Sequence, residues 1–292
     1  MTEKERKSKK TSHLKIFYSK FKRRKIAIIS LAFCVFIALV AIFAPWISPH
    51  DPYKINSRER FSPPSRTYIF GTDDLGRCLF SRVLYGARLS LTIGIGSTLI
   101  AMIIGSTLGL IAGSLGSRFG DIIMRATDIL IAFPYFLLIL LLITVLGTGL
   151  RNVIIALSIW ATPHFIRLVY ASALSIRHLD FVRAAELLGE SKANILVRYI
   201  LPNISSPIIV QSTLYISRVI MVGASLGFLG LGVPPPFPEW GVLLINAREY
   251  IRDYPYLIFF PSIALASVTL SFNILGDNIR DVLDVRIEDV VR

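Results

Sequence analysis

Charge is scarce in this sequence. Asp, Glu, Lys and Arg make up 17% of its 292 residues, against roughly one quarter in an ordinary soluble domain. The apolar share is 53% and the mean hydropathy is +0.62, which excludes a water-soluble globule and a disordered chain alike. Cysteine is nearly missing: Cys34 and Cys78 are the whole set. They form no disulfide scaffold and no metal site of their own, and Cys34 lies inside an apolar run that an oxidised partner hardly reaches, so both read as free thiols. The histidines at 13, 50, 164 and 178 lack the short spacings of a metal centre. No Gly-x-x-x-x-Gly-Lys phosphate loop occurs, so this chain does not hydrolyse ATP by itself. Ionisable groups inside the apolar runs amount to little beyond Arg218, which argues against an intramembrane acid–base enzyme and a proton-coupled carrier.

What is present is long apolar runs. Near-uncharged stretches of about twenty residues recur at roughly 26–47, 89–112, 129–147, 153–170, 208–230 and 257–276. Six such stretches predict an all-α integral membrane protein with both ends on one side. Residues 1–25 hold eleven Lys and Arg against Glu3 and Glu5, which places that side in the cytoplasm. Twenty basic residues then fall inside and ten outside, although segment 48–88 alone holds seven. The run 26–47 follows a basic stretch as a secretory signal would. It is too long for a signal core, and Ala44-Pro45-Trp46 is a poor cleavage site, so it reads as a retained span.

The flanking segments divide the chain further. Leu14, Phe17, Tyr18 and Phe21 recur at helical spacing among Lys15, Lys20, Lys22, Arg23 and Arg24, the pattern of a basic helix lying on anionic lipid. Nucleic-acid binding is the alternative for such a run, and its position beside a span disfavours it. Residues 48–72 are rich in Pro and Arg and predict an extended outer loop, followed from Asp73 by a short interfacial helix carrying Leu75, Leu79, Val83 and Leu84. Residues 277–292 form a cytoplasmic tail. Gly105, Gly109 and Gly113 continue a row of small residues from Ala101, which lets another helix approach closely. Gly223, Gly227, Gly230 and Gly232 run into Pro234, Pro235, Pro236 and Pro238, where a regular helix must break.

Segment 171–207 is compact for a loop. Asp180 is placed to cap a helix running to Leu188, and Gly189 to end it in the left-handed conformation. Ser191 is placed to cap a second helix that stops at Pro202. Such short helices are marginal in water without a docking surface. The expectation is a knob, with Ala184 and Ala185 as a small surface suited to a groove on another protein.

Asp180-Phe181-Val182-Arg183-Ala184-Ala185, then Gly189, then Leu201-Pro202-Asn203, resembles the EAA loop of ABC-importer membrane subunits. Arg183 stands where that pattern has Glu, and Tyr199 where it has Ile. Gly71-Thr72-Asp73-Asp74-Leu75-Gly76-Arg77 with Leu84-Tyr85-Gly86-Ala87-Arg88, Ala224-Ser225-Leu226 with Phe228-Leu229-Gly230-Leu231-Gly232, and Asn273-Ile274-Leu275-Gly276-Asp277 with Arg280-Asp281 are similar to the C-type permease of dipeptide and oligopeptide importers. The resemblance implies a six-helix, type I ABC-importer permease fold. It implies a channel shared with a homologous B-type permease, two cytoplasmic ATPases that hold ATP and Mg2+, and an extracytoplasmic solute-binding protein. This chain itself would bind no cofactor. Asp180, Arg183, Ala184, Ala185, Glu186, Gly189, Leu201 and Pro202 would pass ATPase motion to the channel. Similar permeases serve nickel chelates or oligosaccharides, so the solute stays open. A channel or secondary carrier without ATP is disfavoured by the EAA-like loop, and a membrane-anchored scaffold is the remaining alternative.

The family usually has Glu-Ala-Ser-Leu-Ser where this chain has Gly223-Ala224-Ser225-Leu226-Gly227, and Arg218 lies five positions earlier. An arginine at mid-span costs about 2.5–3.5 kcal/mol on insertion scales, so Arg218 is expected to face a watery cavity or a partner acid rather than lipid.

Overall fold

The computed structural model describes residues 19, 21, 22, 24–115 and 118–284. The basic stretch around Leu14, Phe17 and Tyr18 and the tail after Asp284 lie outside the described residues. The described chain is nearly all helical. Its helices are α1 (Lys25–Ile47), α2 (Leu79–Leu115), α3 (Arg118–Ala132), α4 (Tyr135–Leu146), α5 (Leu150–Arg177), α6 (Asp180–Leu187), α7 (Leu201–Phe228), α8 (Trp240–Ala247) and α9 (Tyr256–Asp284). Five helical stretches are long and apolar enough to cross a membrane, and α3 with α4 make a sixth if the bent pair is one span.

Three of the expected boundaries are corrected. The helix expected from Asp73 starts six residues later and runs unbroken into the span, because the Asp73 carboxylate accepts the backbone N–H groups of Leu75 and Arg77 at 3.0 and 2.9 Å. That closes a turn clamped by a Thr72–Cys78 bridge, and helix starts only at Leu79. The straight span expected over 129–147 is instead bent by 96° between α3 and α4. Pro134 forces Phe133 out of helical geometry, and Pro134 itself is extended at ψ 119°, so the hydrogen-bond ladder breaks there. Segment 48–72 is packed rather than extended. Phe61 stacks on Tyr254 at 4.3 Å and Phe70 on Phe260 at 3.8 Å, and the Tyr256 hydroxyl donates to the carbonyls of Ser62 and Thr72.

The basic residues of segment 48–88 are partly neutralised inside the fold. Arg77 Nε donates to Asp73 at 2.7 Å, and Arg82, 1% exposed, lies 3.4 Å from the same carboxylate and donates to the Pro52 carbonyl. At the opposite end of the bundle, Arg24 pairs with Asp281. The start of α1 and the end of α9 therefore share one face, and Arg280 and Leu283 border the same groove as Ile176 and Pro202 there.

The row of small residues fixes the centre. A Cβ on Gly105 would lie 2.5 Å from the Phe165 Cβ, one on Gly109 would lie 2.6 Å from the Ile166 carbonyl oxygen, and one on Gly113 would lie 2.8 Å from the Tyr170 carbonyl oxygen. The backbones of α2 and α5 therefore touch along three turns, and dispersion between them holds the bundle where lipid supplies no hydrophobic drive. Around this seam one apolar cluster gathers Ile93, Ala101, Val153, Leu157, Phe165 and Val219. Gly109→Val should therefore cost about 1–3 kcal/mol and lower the melting temperature in detergent. Gly96→Ala, whose Cβ would meet nothing closer than Ile154 at 3.9 Å, should leave it unchanged.

Candidate functional site

The knob is built as a short helix docked sideways on a long one. The α6 N-cap is Leu179, with no side-chain cap bond, so Asp180 occupies the first turn instead of capping it, where its charge still favours the helix N-terminus. Gly189 adopts φ +79°, and the N–H groups of Gly189 and Glu190 bond back to the carbonyls of Glu186 and Ala185. Ser191 Oγ accepts from the Asn194 N–H, starting a second helix. That helix does not stop at Pro202. Residues Ile195–Ile200 widen into a π-helical turn, and Leu201 N–H bonds back to Leu196. Asn203 Nδ2 donates to the Tyr199 carbonyl, so a residue without an N–H fits at 202 and the helix runs on as α7. Lys192–Phe228 is thereby one rod of 37 residues.

The two alanines do not form one surface. Val182 and Ala185, a helical turn apart, are buried in a cluster with Ile195, Ile200, Ile204 and Ile208. Ala184, Arg183 and Glu186 face outward with Asp180. Leu201 is half-buried at the junction and Pro202 is exposed. What projects furthest was not singled out from sequence: Leu187 and Leu188 are 90% and 85% exposed. Helical spacing takes Leu187 off the Val182–Ala185 face, whereas Leu188, three residues after Ala185, is exposed because the helix ends there. Gly189 has nothing within 4 Å of a would-be Cβ, so it shapes the loop through its backbone alone.

A second candidate site lies within the membrane-spanning part. Tyr215, Arg218, Val222 and Ser225 are spaced three, four and three apart and share one stripe of α7. With Trp160 and His164 of α5, and with Phe133 and Tyr135 at the α3–α4 break, they wall a cavity of about 580 Å³. Arg218 is exposed, and its guanidinium lies 5.4 Å from the centre of the Tyr215 ring, a cation–π contact. Tyr215 in turn touches His164 at 5.3 Å and Trp160 at 6.1 Å, and Trp160 touches Tyr135 at 5.8 Å. Gly105, Gly109 and Gly113 lie at the helix seam, where their role is packing.

Sequence reasoning also passed over Glu239, which looks like an ordinary outer-loop acid and is 1% exposed. It caps α8 by accepting the Val242 N–H at 3.1 Å and takes the Ser90 hydroxyl at 3.0 Å. Bare backbone at Gly227 and Gly241 lets α8 press against α7. Burial raises the Glu239 carboxyl above its ordinary value, partly offset by these hydrogen bonds.

A bundle of apolar spans with a cavity at a broken helix and an exposed knob on a continuous rod is the architecture of a multi-pass membrane protein. Residues 105–289 match the binding-protein-dependent transport system inner membrane component family, and residues 12–64 match the N-terminal transmembrane domain of oligopeptide transport permease C. The chain belongs to this family and is a multi-pass permease subunit of an ABC importer. It is 40% identical to the di/tripeptide transport system permease protein of Pseudomonas aeruginosa, covering 95% of this chain and 94% of that one. It is 41% identical to the dipeptide transport system permease protein of Alkalihalophilus pseudofirmus, covering 93% and 89%. It is 39% identical to the glutathione transport system permease protein of Pectobacterium atrosepticum, covering 93% and 91%. An inward-facing MetNI methionine ABC transporter shares its fold, with a TM-score of 0.58 over 70% of this chain and 97% of that one, at 17% identity.

The buried carboxyl gives a pH test. A raised folded-state value means that the stability Glu239 lends is complete below the ordinary carboxylate value of about 4.3 and is lost as pH rises through its elevated one. Glu239→Gln keeps an acceptor and removes the charge. The variant's melting temperature minus that of the parent should therefore increase with pH over this window, and a pH-independent difference would contradict the assignment.

Proposed function

We propose that this chain forms half of a translocation channel for dipeptides and oligopeptides, pairing with a homologous B-type permease. Two ATPase subunits binding ATP and Mg2+ drive it, and an extracytoplasmic binding protein delivers the solute. Relatives across 89% or more of their length carry the names of di- and tripeptide, dipeptide and glutathione permeases, which supports peptides as the solute class. The basic start, joined through Arg24 to Asp281, supports cytoplasmic N- and C-termini on the face that carries the knob.

The single observation behind the coupling role is the exposure of Leu187 and Leu188 at the tip of α6. Two adjacent leucines held out into water at the end of an anchored helix are unfavourable unless a partner groove receives them. ATP-driven closure of the ATPases would push on Phe181, Arg183, Ala184, Glu186, Leu187 and Leu188. Val182 and Ala185 would pass the displacement to the rod. The channel is then a two-state element biased by the partner's nucleotide state.

The test is a double substitution at the tip, Leu187→Asp with Leu188→Asp, in the assembled importer. These side chains contribute little to the chain's own core, so the permease pair should purify intact. Retention of the ATPase subunits should fall by about tenfold or more, given roughly 1.5–3 kcal/mol per buried leucine, and solute-stimulated ATP hydrolysis should fall with it. Unchanged ATPase retention and coupled hydrolysis would refute the role.

A further inference from the structure

Arg218 and Arg167 are both cations within spans, and the fold treats them differently. Arg167 donates to Asp128 at 2.6 Å, an ion pair between α5 and α3. Arg218 has no carboxylate within 4 Å among the described residues. Its guanidinium lies instead across the face of the Tyr215 ring, 5.4 Å from the ring centre. It lies ten residues before the end of α7, about 15 Å along the helix at 1.5 Å per residue, well within the span. A guanidinium held there by an aromatic ring, without a counter-charge, leaves donors of its planar fork free toward the cavity. That fork matches a carboxylate with two parallel hydrogen bonds.

The walls supply the rest of a binding site. Tyr135, Trp160 and Tyr215 are in contact in sequence, with Phe133 beside them. Such surfaces receive an apolar side chain while offering a polar edge. Pro163 borders the cavity within α5, and because it lacks an N–H the Ile159 carbonyl of the preceding turn goes without its helical partner. At about 580 Å³ the space falls within the range of small-ligand sites.

We propose that this cavity is a carboxylate-recognising subsite of the channel, in which Arg218 holds the C-terminal carboxylate of a passing peptide while the Trp160–Tyr215–Tyr135 wall takes its last side chain. This rests on the peptide-import reading above. The competing occupant of Arg218 is an acid on the paired permease, and the experiment separates the two.

The full importer is reconstituted in vesicles with saturating binding protein, and ATP-driven uptake of the dipeptide Leu-Phe is compared with that of its C-terminal amide. The binding protein's affinity for each is measured separately so that both are delivered loaded. The parent complex should move the acid faster than the amide. Arg218→Gln should slow the acid by about tenfold, the loss of a charge-assisted pair, and the amide by less than about twofold. Arg218→Lys, which keeps the charge without the fork, should fall between. Equal slowing of both peptides, or no slowing of either, overturns the subsite. Loss of the second permease on purification of the Gln variant overturns it in favour of a partner acid. A parent complex that moves neither peptide refutes the peptide reading itself, and this inference with it.

Discussion

The contact on which the path from knob to cavity depends is the burial of Val182 and Ala185 against Ile195, Ile200 and Ile204. Without it, α6 is an eight-residue helix in a loop, too short to persist in water. With it, the knob is welded to a rod that continues through Pro202 and past Arg218 to Phe228. The π-helical turn at Ile195–Ile200 makes this continuity possible, because it lets the chain pass a proline without breaking. A displacement at Leu188 then has a continuous helical path to the wall of the cavity.

The second constraint is close backbone packing. The seam of Gly105, Gly109 and Gly113 draws α2 against α5, and Gly227 and Gly241 draw α8 against α7 in the same way. Close packing on that side contrasts with the opening on the other, where Pro134 turns α3 away from α4 and leaves space in front of Trp160 and Tyr215. The tight seams give α5 and α7 a fixed backing, and the broken helix gives them a cavity to face. Segment 48–72 completes the frame, since Phe61, Phe70 and Tyr256 tie it to the region around α9.

Much of this was legible in the sequence because it depends on local chemistry. Uncharged runs marked the spans, Gly189 marked the end of α6, Ser191 marked the next start, and the small-residue row marked the helix seam. The rest depends on partners distant in the chain. Glu239 reads as a surface acid until Ser90 and the bare backbone at Gly227 close over it. Pro202 reads as a stop until the docked α6 and the widened turn carry the helix past it. Asp73 reads as a helix start until its carboxylate captures Arg77 and the backbone beside it. Ala184 and Ala185 read as one surface, although the helical offset from Val182 already separated them. Arg218 read as a cation needing water or a partner, and the aromatic wall around it is visible only when α5, α7 and the broken helix are brought together.

The expectation is that knob and cavity wall move as one body. It is tested most directly by distances between spin labels in the assembled importer, on a background lacking Cys34 and Cys78. One label pair joins Ala184→Cys to Ser225→Cys within this chain, and a second joins Ala184→Cys to the corresponding loop position of the paired permease. Addition of ATP with hydrolysis blocked should leave the first distance unchanged while the second shortens. A first distance that changes with nucleotide, or a second that does not, would contradict the claim.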